Sequence, residues 1–359
     1  MHEHTLNALR QHYNMLPIGL PEVPSRLERA FLNVLFTEEE AHAALHMTPQ
    51  GQAPQEVARK LGRSEKEVLE LLETMVRKGL ILRREKDGEK VYSIELFVPG
   101  VYEFQVGIYN EVVARLFEVF LPEYAPELFG TKPPWAWVIP AERSLPVSTE
   151  VAPYERASEI VKGTKKVALA ECICRKERKL IGRVCDRPKD EICLIFSPWA
   201  ELYVERGIAK AATVDEALKA IDQAEQAGLV RLATNVRQNH LFMCQCCSCC
   251  CGIMRGMVEF GQSTAIQHSN YVPVINKESC NGCPDCVKAC TMHALSLVQG
   301  KAKMDGTKCI GCGLCATACS SGAILMRRKA ESKVKEPPVD WDELMTIIAH
   351  ERGRRHFYK

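Results

Sequence analysis

Eighteen cysteines dominate the chemistry open to this chain, and the last eight of them lie in two matched runs. Residues 280–290 read C-N-G-C-P-D-C-V-K-A-C, and residues 309–319 read C-I-G-C-G-L-C-A-T-A-C. Each is a C-x2-C-x2-C-x3-C run, the spacing that holds a 4Fe–4S cluster. The short gaps wrap a loop around three irons of one cube, while the cysteine after x3 reaches across to the other. The expected ligands are therefore Cys280, Cys283, Cys286 and Cys319 for one cluster, and Cys309, Cys312, Cys315 and Cys290 for the second. Gly282 and Gly311 hold equivalent places, as do Ala289 and Ala318, and Ala294 and Ala323. Glycine lets the backbone close on inorganic sulfide and turn its N–H groups toward it. Zinc is the competing reading, but zinc ribbons pair two C-x2-C knuckles per metal, and the doubled spacing points to iron–sulfur.

Ten cysteines remain. Cys172, Cys174, Cys185 and Cys193 form C-x-C-x10-C-x7-C after a run, Lys165–Ala170, that reads as a strand. This suits one further tetrathiolate site, expected to be iron–sulfur, with zinc or plain thiols as the alternatives. Arg175, Lys176, Arg178, Lys179, Arg183, Arg187 and Lys189 surround it. Such charge raises a cluster's potential, docks an acidic donor, or is an ordinary solvated loop. Cys244, Cys246, Cys247, Cys249, Cys250 and Cys251 then crowd into one short stretch. As free thiols they would oxidise readily, so metal ligands are expected among them, either completing a cluster with the earlier four or holding one of their own.

Residues 271–328 resemble the bacterial dicluster ferredoxin domain, which implies two 4Fe–4S clusters and electron transfer. The departure is at the position after the fourth cysteine: proline usually follows it, and Thr291 and Ser320 stand here. Cys250-Cys251-Gly252 is similar to half of the CCG motif of heterodisulfide-reductase-type subunits, where the motif occurs twice; this chain has one copy. The whole cysteine arrangement resembles a poorly characterised family of 4Fe–4S proteins from anaerobes with a winged-helix-like N-terminal domain.

The elements that position these thiols form an α+β multidomain chain. Residues 1–130 are expected to be a winged-helix-like domain with an aromatic helical extension. Residues 131–270 are a cysteine-rich α/β domain, 271–330 a ferredoxin-like dicluster domain, and 331–359 a linker with a short amphipathic helix. The winged-helix signal is local. A short helix ends at Gly62; Ser64 and Glu67 form a capping box for a second helix; Gly79 ends that helix; Asp87-Gly88 joins two strands. The second helix carries Glu65, Glu67, Glu70 and Glu73 and would repel phosphate, although Arg83, Arg84, Lys86 and Lys90 make the hairpin basic. Thr213 and Glu216 repeat the capping grammar before Gly228, and Trp135 and Trp137 are expected to cover a core edge.

Net charge is +2 with 26% charged residues, which gives no overall bias toward nucleic acid or anionic membrane. The N-terminal residues have no apolar signal segment, and no apolar run reaches the ~18 residues of a membrane helix. A reduced, cytoplasmic, anaerobic setting is expected. No nucleotide-binding glycine motif, serine–histidine–aspartate set or paired-carboxylate site is visible. The chain therefore reads as an electron-transfer protein or a subunit of an anaerobic oxidoreductase complex, with a redox protein as partner. It would use two 4Fe–4S clusters and one or two additional iron–sulfur clusters. The alternatives are a redox-sensing winged-helix regulator that binds DNA and a thiol- or disulfide-reducing subunit using the 244–251 loop.

Overall fold

In the N-terminal part, local helix grammar carries most of the structure. The structure is a computed structural model, and it describes residues 1–145 and 151–354. Helices Glu3–Asn14, Leu27–Leu35 and Glu38–Ala44 come first, followed by Pro54–Leu61 and Glu65–Lys78. The capping box at Ser64 and Glu67 is formed in both directions, and Gly79 closes the helix with φ 70°. Strands β1 (Ile81–Lys86) and β2 (Glu89–Ile94) pair antiparallel with Lys86 opposite Glu89. The turn residues Asp87 and Gly88 both have positive φ, as a two-residue hairpin turn requires. Arg83 pairs with Glu73 on the preceding helix and with Glu205, while Arg84 donates to the Pro49 carbonyl. Two of the hairpin's basic side chains are thus engaged within the molecule.

The long helix Glu111–Phe129 leads into a six-stranded antiparallel sheet. Its strands are β3 (Ala136–Ile139), β4 (Val167–Ala170), β5 (Cys193–Phe196), β6 (Ala209–Ala212), β7 (Val230–Thr234) and β8 (Phe242–Cys246), in the order β3-β7-β8-β5-β4-β6. β3, β4, β5 and β7 are buried at every residue, so both faces of the sheet are covered. Trp137 sits inside the edge strand β3 and Trp135 just before it, at 1% and 2% exposure. They are full members of the core, where a cover over its edge was expected. The Thr213–Glu216 capping box is also present, on helix Val214–Gln226.

Two antiparallel strand pairs build the last part. β9 (Tyr271–Ile275) pairs with β12 (Ile324–Arg328), and β10 (Leu295–Val298) with β11 (Lys301–Met304). Helix Trp341–Glu351 then buries Leu344, Met345 and Ile348 in the same apolar cluster as Leu9, Phe120, Trp137 and Phe242. Arg352 and Arg354 both reach the Glu127 carboxylate on the long helix. One core therefore runs through the expected boundary near residue 130. Among the described residues, no helix is long and apolar enough to cross a membrane.

Candidate metal centres

The ferredoxin-type loops owe their shape to two glycines. Gly282 and Gly311 have φ of 78° and 74°, and a Cβ on either would lie 2.3 Å from a carbonyl oxygen, of Gly300 and Tyr271 respectively. The close approach demanded by the fold is thus to a neighbouring strand or turn. The same peptides also turn toward sulfur. The Cys280 thiol is pulled below its ordinary value by the N–H groups of Ala302 and Gly282, and the Ala294 N–H donates to Cys290 Sγ at 3.2 Å.

The eight thiols fall into two neighbourhoods. Burial pushes the Cys286 thiol up, and negative charge on Cys283, Cys319 and Cys280 adds to this. Burial likewise raises Cys309, Cys312 and Cys315, with Cys290 a charge neighbour of all three. Cys290, Cys309, Cys312 and Cys315 line one cavity of about 20 Å³. This second group faces the body of the protein. The Ala141 N–H donates to the Cys312 carbonyl at 2.8 Å, Ser269 Oγ donates to the Gly311 carbonyl at 2.6 Å, and Ile310 and Leu314 belong to the main core. The loop carrying Cys280 and Cys283 faces solvent, with Lys277, Glu278, Ser279, Asn281, Pro284 and Asp285 exposed.

The other ten cysteines do not divide along the sequence. Six form a closed ring of side-chain contacts. Cys172 touches Cys174 and Cys193; Cys251 touches Cys174 and Cys246; Cys244 closes the circle through Cys193 and Cys246. Strand pleat explains the members on β8, because Cys244 and Cys246 are two residues apart and share a face. Cys193 opens β5, while Cys172 and Cys251 precede the first turns of helices Ile173–Leu180 and Gly252–Val258. The helix dipoles therefore point positive ends at two of the thiols. The direction of the thiol shifts alternates around the ring. Cys172 is lowered by hydrogen bonds from Cys174 and Cys193, Cys251 by those from Cys174 and Cys246, and Cys244 is lowered to about 6 by Cys193 and Cys246. Their three donors, Cys174, Cys193 and Cys246, are raised in return.

The remaining four, Cys185, Cys247, Cys249 and Cys250, come together separately, with all four sulfurs within 4.8 Å of one another. Cys247 is pulled down to about 5, first by the hydrogen bond from Cys250 and then, against the effect of burial, by the charge of Arg175. The quartet expected at 172–193 is thus split: Cys172, Cys174 and Cys193 enter the ring, and Cys185 joins the four.

Arg175 lies between the two groups. It is 3% exposed and charge-coupled to Cys172, Cys247, Cys193 and Cys246. Its Nη2 donates to the Gln245 carbonyl at 2.7 Å, but Nε and Nη1 have no partner. A buried guanidinium with two free donors beside thiolates fits an iron–sulfur group, whose sulfur atoms accept such bonds. The ring opens on a cavity of about 90 Å³ lined also by Tyr102, Glu103, Glu177, Trp199 and Tyr203. Burial raises Glu103 and Glu177 to about 8, so both carboxyls hold their protons near neutrality. Tyr102 donates to Glu177 Oε2 at 2.7 Å, and the Gly100 N–H donates to Glu103 Oε2 at 2.8 Å.

Glu118, on the long helix, braces both ligand-bearing helices. Its carboxylate accepts from Arg178 at 2.6 Å and from both terminal nitrogens of Arg255 at 3.0 and 2.7 Å. Sequence reasoning missed Glu118, Glu103 and Glu177. In the sequence Arg175 is one of many basic residues, although its place directly after Cys174 was a usable signal. Most of that basic run is spent internally, since Lys176 and Lys189 both pair with Glu171.

Residues 279–323 match the 4Fe-4S dicluster domain family, so this part of the chain is a ferredoxin-type iron–sulfur domain, which supports an electron-transfer role. An uncharacterized ferredoxin of Methanocaldococcus jannaschii is 33% identical over 90 residues, covering 25% of this chain and 53% of that protein. UacF of Escherichia coli, named as an oxidoreductase, is 30% identical over 94 residues, covering 23% of this chain and 14% of that protein. The chain thus spans about half the length of the first relative and far less of the second. No solved structure matches.

Proposed function

We propose that this chain is an electron-transfer protein or oxidoreductase subunit that passes single electrons inward, from the exposed ferredoxin loop to a further iron–sulfur centre in the six-thiol ring. Residues 271–330 are the electron port, 131–270 the cysteine-rich unit and 1–130 a winged-helix-like platform, in a reduced, anaerobic cytoplasm with a redox protein as donor. Cys280, Cys283, Cys286 and Cys319 hold the outer cluster; Cys309, Cys312, Cys315 and Cys290 hold the inner one. When bound, iron–sulfur groups supply one-electron storage at potentials set by charge, hydrogen bonds and burial. The residues of this chain do the rest. Ala294 and Ala302 direct N–H groups at thiolate sulfur, Arg175 offsets the negative charge of the ring, and the surrounding aromatic side chains exclude water. Glu103 and Glu177 keep protons at carboxyl oxygens beside the ring, where arriving negative charge is most costly.

The observation that carries this reading is the closed ring of Cys172, Cys174, Cys193, Cys244, Cys246 and Cys251 around which Arg175 leaves two buried donors unpartnered. The platform is read as packing against the body, in view of the engaged Arg83 and Arg84. The test is stoichiometry on anaerobically isolated protein. Two 4Fe–4S clusters account for about 8 irons, and the full chain is expected to exceed that number, with Cys193→Ser bringing it back. A wild-type chain that stops at the ferredoxin complement sinks the reading.

A further inference from the structure

We infer that Cys185, Cys247, Cys249 and Cys250 form a mononuclear tetrahedral site for zinc, separate from every iron–sulfur centre, that fastens the turn carrying two of the ring's cysteines. The argument is one of size. Cys185 Sγ lies 4.0 Å from Cys247 Sγ and 3.8 Å from Cys249 Sγ, and Cys249 Sγ lies 3.8 Å from Cys250 Sγ. Zinc bonds thiolate sulfur at about 2.3 Å, so the corners of a zinc tetrahedron stand about 3.8 Å apart. A four-iron cube puts an iron between each thiolate and the centre, and its four sulfurs must stand much farther out.

The same molecule supplies the comparison. Among the described residues, the only group of three or more candidate ligands drawn within 4.8 Å of one another is this one. Among the eight ferredoxin cysteines, in a stretch that matches a cluster-binding family, no three sulfurs come within 4.8 Å of one another, and the six of the ring touch only as neighbours around it. Chemistry agrees with size. Cys247 and Cys250 have the C-x2-C spacing of a zinc knuckle, and their turn is closed by N–H bonds from Cys250 and Cys251 to the Cys247 carbonyl, at 3.3 and 3.0 Å. Four thiolates in a tetrahedron favour zinc over a single ferrous ion, which binds more weakly to a given donor set. Cys185 comes from the distant loop after helix Ile173–Leu180 and completes the shell.

The consequence lies in the order of residues. Cys246 and Cys251 belong to the ring, and Cys247, Cys249 and Cys250, between them, belong to the four. An ion held by the inner three and Cys185 fixes the path of the turn and so the spacing of its two flanking ring thiols. The zinc is a positioning element, with no redox part.

The experiment uses the full chain, isolated anaerobically from medium containing both zinc and iron. One zinc per chain is expected, with a zinc K-edge spectrum of four sulfur neighbours at about 2.3 Å and no iron in the second shell. Cys249→Ser, at the exposed member, should lower zinc without removing the ferredoxin irons. Absence of zinc, a single iron in its place, or a zinc signal with nitrogen or oxygen neighbours overturns the inference. The spectrum needs no variant, so a misfolded Cys249→Ser protein leaves the result decisive. It is also independent of the iron count that tests the electron path: zinc with only eight irons defeats the path alone, and excess iron without zinc defeats this site alone.

Discussion

Glu118→Gln removes a charge while keeping the side chain's shape, and its effect can be worked out bond by bond. The carboxylate accepts three hydrogen bonds from two arginines, Arg178 at 9% and Arg255 at 3% exposure. Arg255 keeps Glu259 as a partner, but Arg178 loses the only ion pair it makes among the described residues, so one buried guanidinium is stranded. Stranding a buried charge costs about 3–5 kcal/mol. Glu118 is 28% exposed, which places the loss at the low end, about 3 kcal/mol. At roughly 2 °C per kcal/mol for a chain of this size, the melting temperature should fall by about 6 °C. The assay is anaerobic thermal unfolding followed by circular dichroism, with iron measured on the same samples. Burial pushes the Glu118 carboxyl up, but Arg255 and then Arg178 more than reverse this, leaving it below the ordinary carboxylate range. A depressed folded value means the stabilisation is present above the unfolded value and is lost as pH falls through the folded one. The gap between wild type and Glu118→Gln should therefore be widest near neutrality and close in acid. Because the two braced helices begin beside Cys172, Cys174 and Cys251, the variant should also shed ring iron before ferredoxin iron. A melting shift below about 1 °C with unchanged iron, or a gap that does not narrow in acid, refutes the reasoning.

Two further outcomes are expected. Cys290→Ser should damage the cluster held by Cys309, Cys312 and Cys315 and spare the one held by its sequence neighbours; electron paramagnetic resonance of the reduced protein showing the opposite loss would place Cys290 with its own run. The protein should show no sequence-selective DNA binding at physiological salt, because the exposed face of helix Glu65–Lys78 is acidic and Arg83 and Arg84 are engaged elsewhere; a sub-micromolar, sequence-dependent shift on promoter DNA would contradict this.

The ferredoxin part was legible because its information is local: fixed short gaps, and glycines where the backbone must come close. The capping boxes at Ser64 and Thr213 were legible for the same reason. The sorting of the other ten cysteines was not. Cys246 and Cys247 are adjacent yet serve different groups, since strand pleat directs the first toward Cys244 and the turn takes the second toward Cys185. Cys172, Cys193 and Cys244 meet only because the sheet order places β8 beside β5 and β5 beside β4, a fact of tertiary register that no spacing rule encodes. Glu118 escaped notice because a single glutamate on an amphipathic helix carries no signal until its two arginines, from distant helices, are in view.

The contribution of helix Trp341–Glu351 to the central core bears on how the protein matures. Leu344, Met345 and Ile348 belong to the apolar cluster that also holds side chains of the first helices, so that cluster is not complete until this segment has been synthesised. All eighteen cysteines precede this helix in the chain. Docking of the helix, fastened by Arg352 and Arg354 on Glu127, therefore comes after all eighteen thiols have been added to the chain.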